Sequence, residues 1–574
     1  MHKTLYTKYG ENLNAGRILP EYPRPQFARD SYLNLNGYWD YRISKNPEIP
    51  ESYDGRILVP FPLESALSEV TRTLHEDEYL IYHRVFNLPD NFIRDRIYLH
   101  FGAVDQEATV YLNGKKLGRL RGGYWPFSFD ITEHVQESNE LVVIVRDSTD
   151  KSPHAYGKQS TNPKAIWYTP VTGIWQTVWL ESVPENHLKS LRITPDFDAG
   201  EIDLELETAG PCTGSLSVHD GDKLVLTEEI TDPKLKIKMP DFIPWTPENP
   251  HLYDLTVRIG SDSVNSYFGF RKFSIGNGPY GQCFHLNNKP YFLNGVLDQG
   301  YFSDGIYTPA SDQAFIDDIL KMKELGYNTL RKHIKIEPLR FYHHCDRLGM
   351  IVWQDMVNGG RYCFWKMTVL PNVGFQRLSD TNNLACFGRE TQEARDVFRE
   401  EMKKTVALLY NVPSLALWTI FNEGWGQFHS LENYHYLKTL DSTRIIDSAS
   451  GWFDQGAPDL ASKHIYFRKL RFKKDSRPLV LSEFGGYSCH IKEHTQSHKQ
   501  FGYKKFSSVE KFEKAFIDLY EKQVLPNIKK GLAAAIYTQL SDVETETNGI
   551  LTYDRKVCKL NPEVIRKLNQ KIRF

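Results

Sequence analysis

The stretch LALWTIFNEGWGQF (residues 415–428) runs an apolar segment straight into an acid, Glu423, set between Asn422 and Gly424. Such a pattern has two readings. One is a strand end that turns into solvent; the other is a catalytic carboxylate at the rim of a barrel. A second stretch, PLVLSEFGG (478–486), repeats it with Glu483. In both, glycine follows soon after the acid and lets the backbone turn sharply. Further apolar strand candidates are YFLNGV (291–296), YNTLRKH (327–333), MIVWQDM (350–356), RIIDSAS (444–450), SKHIYF (462–467) and LAAAIYTQL (532–540). Amphipathic helices lie between several of them. SDQAFIDDILKMKELG (311–326) has Ser311 as its N-cap and Gly326 as its stop, and residues 390–411 and 508–531 read as longer helices. Strands alternating with helices across residues 276–574 predict a (β/α)8 TIM barrel. A doubly wound open sheet is the alternative, but FLNGVLDQG lacks the G-x-G-x-x-G turn that such a sheet usually carries after its first strand.

Outward from the barrel the chain changes character twice. Residues 1–183 read as many short strands rich in aromatic and β-branched side chains, among them NGYWDYRIS, YLIYHRVFNLP, RIYLHFGAV and EATVYLNGKKLG. Asn113-Gly114 is the dipeptide that a type I′ hairpin turn requires. This part predicts a jelly-roll β-sandwich. Residues 184–275 carry shorter strands at about ten-residue spacing, the pattern of a small immunoglobulin-like sandwich.

Bulk properties narrow the function classes. The chain has 574 residues, too many for one ordinary domain. A net charge of −2 without a basic stripe argues against a nucleic-acid partner. The densest basic run, KLRFKKDSR (469–477), reads as a solvated loop. No apolar window is long enough for a membrane span, and the first residues lack a signal-peptide core. Seven cysteines without C-x-x-C spacing suit free thiols in a reducing compartment, so a cytoplasmic location and no zinc site are expected.

In a (β/α)8 barrel the catalytic groups stand at the C-terminal strand ends. Glu423 closes the fourth strand candidate and Glu483 the seventh, and those two ends face each other across the mouth. Two facing carboxylates are what glycoside hydrolysis needs, one protonated and one ionised. Asn422 is placed to hydrogen-bond a sugar hydroxyl beside the reacting carbon. Asp298, Arg331, His333 and Asp355 gather at the ends of the first three strands; Trp425 and Tyr487 join them as candidate pocket walls, as do Tyr301, Trp353 and Phe484. No H-E-x-x-H metal spacing, G-x-S-x-G elbow or P-loop appears.

In several of its motifs the chain resembles glycoside hydrolase family 2, the family of β-galactosidases, β-glucuronidases and β-mannosidases. LNLNGYWDY, LHFGAVDQEATVYLNGKKLG and TGIWQTVWLE resemble its sugar-binding jelly roll; LRKHIKIEP, LGMIVWQDM, LWTIFNEGW and LSEFGG resemble its barrel signatures. The resemblance implies an exo-acting retaining β-glycosidase, with Glu423 as acid/base and Glu483 as nucleophile held ionised by Arg331. The family's β-glucuronidases bind the sugar carboxylate through an Asn-x-Lys-Gly element after the eighth strand. Glu546 and Asn548 stand at that place here, which implies a neutral sugar, galactose first, with a β-glucuronidase as the alternative. A carbohydrate-binding protein without catalysis is the alternative of another class. The jelly-roll loop 154–170, with Lys158, Lys164 and Trp167, is a further candidate for substrate contact. No cofactor is required; magnesium or sodium, and assembly into a homo-oligomer, are expectations by resemblance only.

Overall fold

The structure is a computed structural model describing residues 4–90, 92, 94–497 and 499–574. Its N-terminal part is a sandwich of a six-stranded and a four-stranded antiparallel sheet. Trp39, Leu80, Leu99, Val110, Val143 and Leu180 fill the space between them. The hairpin at Asn113-Gly114 forms as the sequence predicts: Glu107–Leu112 pairs with Lys115–Arg121, and the turn residues have φ of +50° and +75°. A second sandwich follows, with a three-stranded and a four-stranded sheet closed over Ile193, Leu204, Val218, Val257 and Phe268. The 275/276 division falls inside the strand Phe273–Gly278. That strand pairs with Gly281–Leu286, and both pack beneath the barrel, so this hairpin belongs to the barrel floor.

The C-terminal part is the (β/α)8 barrel. Its strands are β1 (Leu293–Asp298), β2 (Thr329–Lys332), β3 (Ile351–Asp355), β4 (Leu415–Asn422), β5 (Ile445–Ser450), β6 (Ala461–Ile465), β7 (Leu479–Gly485) and β8 (Leu532–Thr538). All ladders are parallel, in the order β5-β4-β3-β2-β1-β8-β7-β6. β5 and β6 share no ladder. Side chains bridge that seam instead: Ser450 Oγ lies 3.3 Å from Ser462 Oγ and donates to Ser482 Oγ of β7 at 3.0 Å.

Helices α1 (Gln313–Glu324), α2 (Leu339–Leu348), α3 (Gln392–Leu409), α4 (Ser430–Leu440) and α5 (Val509–Leu519) follow β1, β2, β3, β4 and β7. The segments after β5 and β6, residues 451–460 and 466–478, are irregular, so the outer ring is notched there. The predicted cap of α1 lands one residue off. Asp312 bounds the helix, while Ser311 Oγ accepts from the Gln313 N–H at 3.2 Å. Asp312 is drawn away by its own partners, Arg340 and His344 Nε2, the latter at 2.7 Å.

The apolar run of β4 is the barrel wall; every residue from Leu415 to Asn422 is buried. Leu417 packs among Leu293, Ile351, Ile445 and Ile536. Leu417→Ala is expected to cost about 2–5 kcal/mol, because the rigid wall cannot collapse into the space left. A fall in the thermal midpoint of the barrel transition is the readout.

Candidate active site

At the C-terminal rim the chain leaves β4 through Glu423, whose φ of +54° is left-handed, and then Gly424 at +74°. A non-glycine residue there is strained by on the order of 1 kcal/mol. Hydrogen bonds on both sides hold it: the Glu423 N–H donates to the Ser450 carbonyl at 2.9 Å, and Trp452 Nε1 donates to the Glu423 carbonyl at 3.0 Å. The turn aims the Glu423 side chain across the mouth toward Glu483 on β7. One carboxylate oxygen from each, with a ring nitrogen of His464, all lie within 4.8 Å of one another. Two facing carboxyl groups at short range are the pairing that glycoside hydrolysis uses.

Arg331, fully buried on β2, organises this site. Its Nε and Nη2 grip Asp355 at 3.0 and 2.9 Å, Nη2 also reaches Asn422 Oδ1 at 2.7 Å, and Nη1 reaches Glu483 Oε1 at 3.1 Å. Burial opposes the charge on the guanidinium, but Asp355 and then Glu483 outweigh it and push its pKa up. Burial likewise opposes the charge on Asp355, whose carboxyl Arg331 and His333 nonetheless carry below the usual range. His333 Nδ1 sits 2.7 Å from Asp355, and burial pushes its own pKa down.

Two side chains that the sequence reading passed over complete the pair. Both come from the end of β6 and the residue beyond it, in the segment SKHIYF. Tyr466 donates its hydroxyl to Glu483 Oε2 and stacks on Tyr503, ring centroids 3.8 Å apart. His464 places Nδ1 2.7 Å from Glu423 Oε1 and Nε2 3.0 Å from Ser450 Oγ. Burial lowers the His464 pKa to about 3, so the ring is neutral. Ser450 spends its proton on Ser482, which in turn donates to the Lys463 carbonyl at 3.3 Å. Ser450 and Glu423 thus flank the two ring nitrogens, one of which carries the single hydrogen of the neutral imidazole. Burial raises the Glu423 carboxyl, partly offset by Lys158, then His333 and Arg331. The strand-end rule, applied to histidine and tyrosine as well as to acids, would have found both residues.

The loop 154–170 of the first sandwich docks into the mouth. The Tyr156 and Gly157 N–H groups donate to the Asn358 carbonyl, both at 3.0 Å. Trp167 packs edge-on against Trp425 at 5.1 Å and Tyr362 at 4.9 Å, and Lys158 lies 5.3 Å over its ring. Tyr168 donates to Glu546, which Asn548 Nδ2 also approaches at 2.9 Å. Glu546 is buried, and burial raises its carboxyl. Of the sequence candidates, Glu423, Glu483, Asn422, Arg331, His333 and Asp355 thus form one network, with Trp425, Glu546 and Asn548 around it. Asp298 and Tyr487 stand apart. The Asp298 carboxylate pairs with Lys332 at 2.6 Å on the outer side of the wall, and Tyr487 packs on Phe506 outside the barrel. Tyr301, Trp353 and Phe484 are wholly buried core. Glu423, His464 and Glu483 converge as an ion's ligands would. Magnesium or sodium, however, wants a cage of oxygens, and here Arg331, Tyr466 and a neutral imidazole already occupy the carboxylates. The trio does not fit such an ion.

Two β-sandwiches and a (β/α)8 barrel with paired carboxylates at the ends of β4 and β7 define the architecture. The family model "Glycosyl hydrolases family 2, TIM barrel domain" matches residues 280–574, "Glycosyl hydrolase 2 galactose-binding domain-like" residues 61–175, and "Glycosyl hydrolases family 2" residues 186–271. The chain belongs to glycosyl hydrolase family 2. A β-galactosidase of Thermoanaerobacter pseudethanolicus is 25% identical over 386 residues, 63% of this chain and 46% of the relative. A putative β-glucuronidase of Formosa agariphila is 27% identical over 462 residues, 71% and 50% respectively. The chain thus spans about half the length of these relatives. Among solved structures, a β-glucuronidase of an uncultured Clostridium species superposes with a TM-score of 0.74 over 95% of this chain and 99% of its own, at 17% identity, a likeness of fold.

Lys158 holds the Glu423 carboxyl lower than burial alone would. Lys158→Met should therefore raise that pKa further. Activity that needs protonated Glu423 is lost as pH rises through this pKa, so the alkaline limb of kcat/KM should move to higher pH. An unmoved or downward-shifted limb would contradict the assignment.

Proposed function

We propose that the chain is an exo-acting retaining β-glycosidase, with β-galactosides as its first substrate class. One observation carries this: two carboxyl groups with oxygens within 4.8 Å, one against a neutral histidine and pushed up by burial, the other held by Arg331 and Tyr466. Glu483 attacks the anomeric carbon as the Glu423 proton passes to the glycosidic oxygen; the C–O bond breaks and the alcohol leaves. Glu423, now ionised, takes a proton from water. The resulting hydroxide attacks the anomeric carbon and releases Glu483, so the β configuration is kept. Asn422, oriented by Arg331, faces the sugar hydroxyl next to the reacting carbon. The docked loop 154–170 closes one side of the mouth, which supports cleavage of a terminal sugar. Glu546, at the closed side, offers a hydrogen-bonding carboxyl suited to neutral hydroxyls, and the names of the curated relatives support galactosides.

A second reading, a β-uronide substrate, is favoured by Lys158. Its side chain is buried beside Glu423 and Glu546 yet has no carboxylate within 4.0 Å among the described residues. Aryl β-galactoside, β-glucuronide and β-galacturonide assayed side by side separate the two. For a uronide, Lys158→Met should raise KM at least tenfold. Binding without catalysis would leave this facing carboxyl pair without a purpose.

Glu423→Gln is expected to slow turnover by roughly 10²–10⁴-fold, least for aryl leaving groups that need no proton. Glu483→Gln should abolish it, and NMR of the first product should show the β anomer. A Glu483→Gln protein as fast as wild type would defeat the mechanism.

A further inference from the structure

The basic run that the sequence presents as a solvated loop also walls a cleft. Residues 466–478 replace the helix expected after β6, and with residues 371–377 and 452–454 they wall a cleft of about 1170 Å³. His464 and Tyr466, which contact Glu423 and Glu483, also line this cleft, so it lies next to the carboxylate pair. It exceeds the roughly 300–1,000 Å³ typical of a small-molecule site. Since His464 contacts Glu423, the proton donor, the cleft lies on the side where the leaving group departs.

Its charge is one-sided. The segment 468–474 contributes Arg468, Lys469, Arg471, Lys473 and Lys474, and Lys463 and Arg377 add two more cations. None of these has a carboxylate within 4.0 Å among the described residues. The two acids in the wall, Asp454 and Asp475, are both taken by Arg477, at 2.7 and 3.0 Å. A chain of net charge −2 thus concentrates unpaired positive charge beside its catalytic centre. Two aromatic rings stand exposed in the same wall, Phe375 at 68% and Phe467 at 65%. Exposed rings offer stacking faces to sugars, and unpaired guanidinium and ammonium groups offer partners to carboxylate or sulfate.

Resting on the glycosidase reading above, we propose that this cleft is the leaving-group site for an anionic glycan: the terminal sugar is removed from an oligosaccharide whose following residues carry carboxylate or sulfate groups. Phe375 and Phe467 stack on the sugar rings, and the 468–474 segment pairs with the anions.

The test uses two proteins that share Glu483→Gln, so that nothing is cleaved. One has the native cleft; the other adds Lys469→Gln/Arg471→Gln/Lys473→Gln. Binding of a size-defined oligogalacturonide, a heparin-derived oligosaccharide, a neutral galacto-oligosaccharide and a single-stranded DNA oligomer is measured by calorimetry at 0.05 and 0.5 M NaCl. The expected result is tightest binding to one of the acidic glycans, weakened at least tenfold by the triple substitution and by salt. A preference for the carboxylated or the sulfated probe identifies the anion. Equal or tighter binding of the neutral glycan or the DNA, or no loss on substitution, overturns the proposal. Phe467→Ala provides a second arm at unchanged charge and should weaken the acidic glycan severalfold. With Glu483 intact, the triple variant should hydrolyse an aryl β-glycoside within about twofold of wild type. Should wild type turn over no aryl glycoside while the acidic glycan still binds through the cleft, the catalytic reading fails and the cleft assignment stands.

Discussion

The Arg331 guanidinium is the interaction on which the rest of the site depends. It is wholly buried, and removing a cation from water costs several kcal/mol unless its donors are all met. Here they are met by groups from β3, β4 and β7: Asp355, Asn422, Glu483 and the Ser482 carbonyl. Each of those groups is fixed in turn by the fork it binds. The Asn422 amide is oriented because its oxygen is used, and Glu483 presents its carboxylate to the mouth because one oxygen is tied to Arg331 and the other to Tyr466. Losing any one anion would leave buried charge unpaired, so catalytic geometry and local stability are the same property at this rim.

Around that cation chemically alike acids meet different neighbours. Glu483 touches the cation. Glu423 touches a neutral imidazole, and burial pushes its carboxyl up. Asp447, deeper in the barrel, is pushed up to about 6 by burial in spite of the pull of Arg331. The single charge of Arg331 is thus concentrated on Asp355 and Glu483. Proton placement follows from which neighbour each carboxyl meets, not from residue type.

Much of this was legible in the sequence because two regularities are local. Apolar runs ending on polar residues marked the barrel strands, and the facing strand numbers paired Glu423 with Glu483. What was not legible has physical reasons. Asp298 also ends a strand, but its register partner is Lys332, while Arg331 pairs with Leu297. Side chains alternate across a strand, so an inward Arg331 forces Lys332, and with it Asp298, to the outer side. Gly485 and Gly486, both at positive φ, turn the chain out of the barrel before Tyr487, which pairs instead with Lys504 in a separate ladder. Lys158, Trp167 and Tyr168 reach the mouth from another domain. Contacts such as Tyr168 to Glu546 span 378 residues and leave no trace in local periodicity.

The seam between β5 and β6 connects the remaining features. A complete barrel would carry a backbone ladder there and a helix outside each strand. Without the ladder, Ser450 and Ser462 meet through their hydroxyls and link to Ser482, and Ser450 reaches on to His464, whose other ring nitrogen meets Glu423. Without the helices, residues 451–460 and 466–478 lie as irregular walls, and residues of both segments line the basic cleft. Closing the seam would remove both at once: the hydroxyl chain behind His464 and the cleft beside it. The irregular part of the barrel is therefore where the carboxylate pair and the basic cleft come next to each other, and the regular strands β1 to β4 are the frame that holds them.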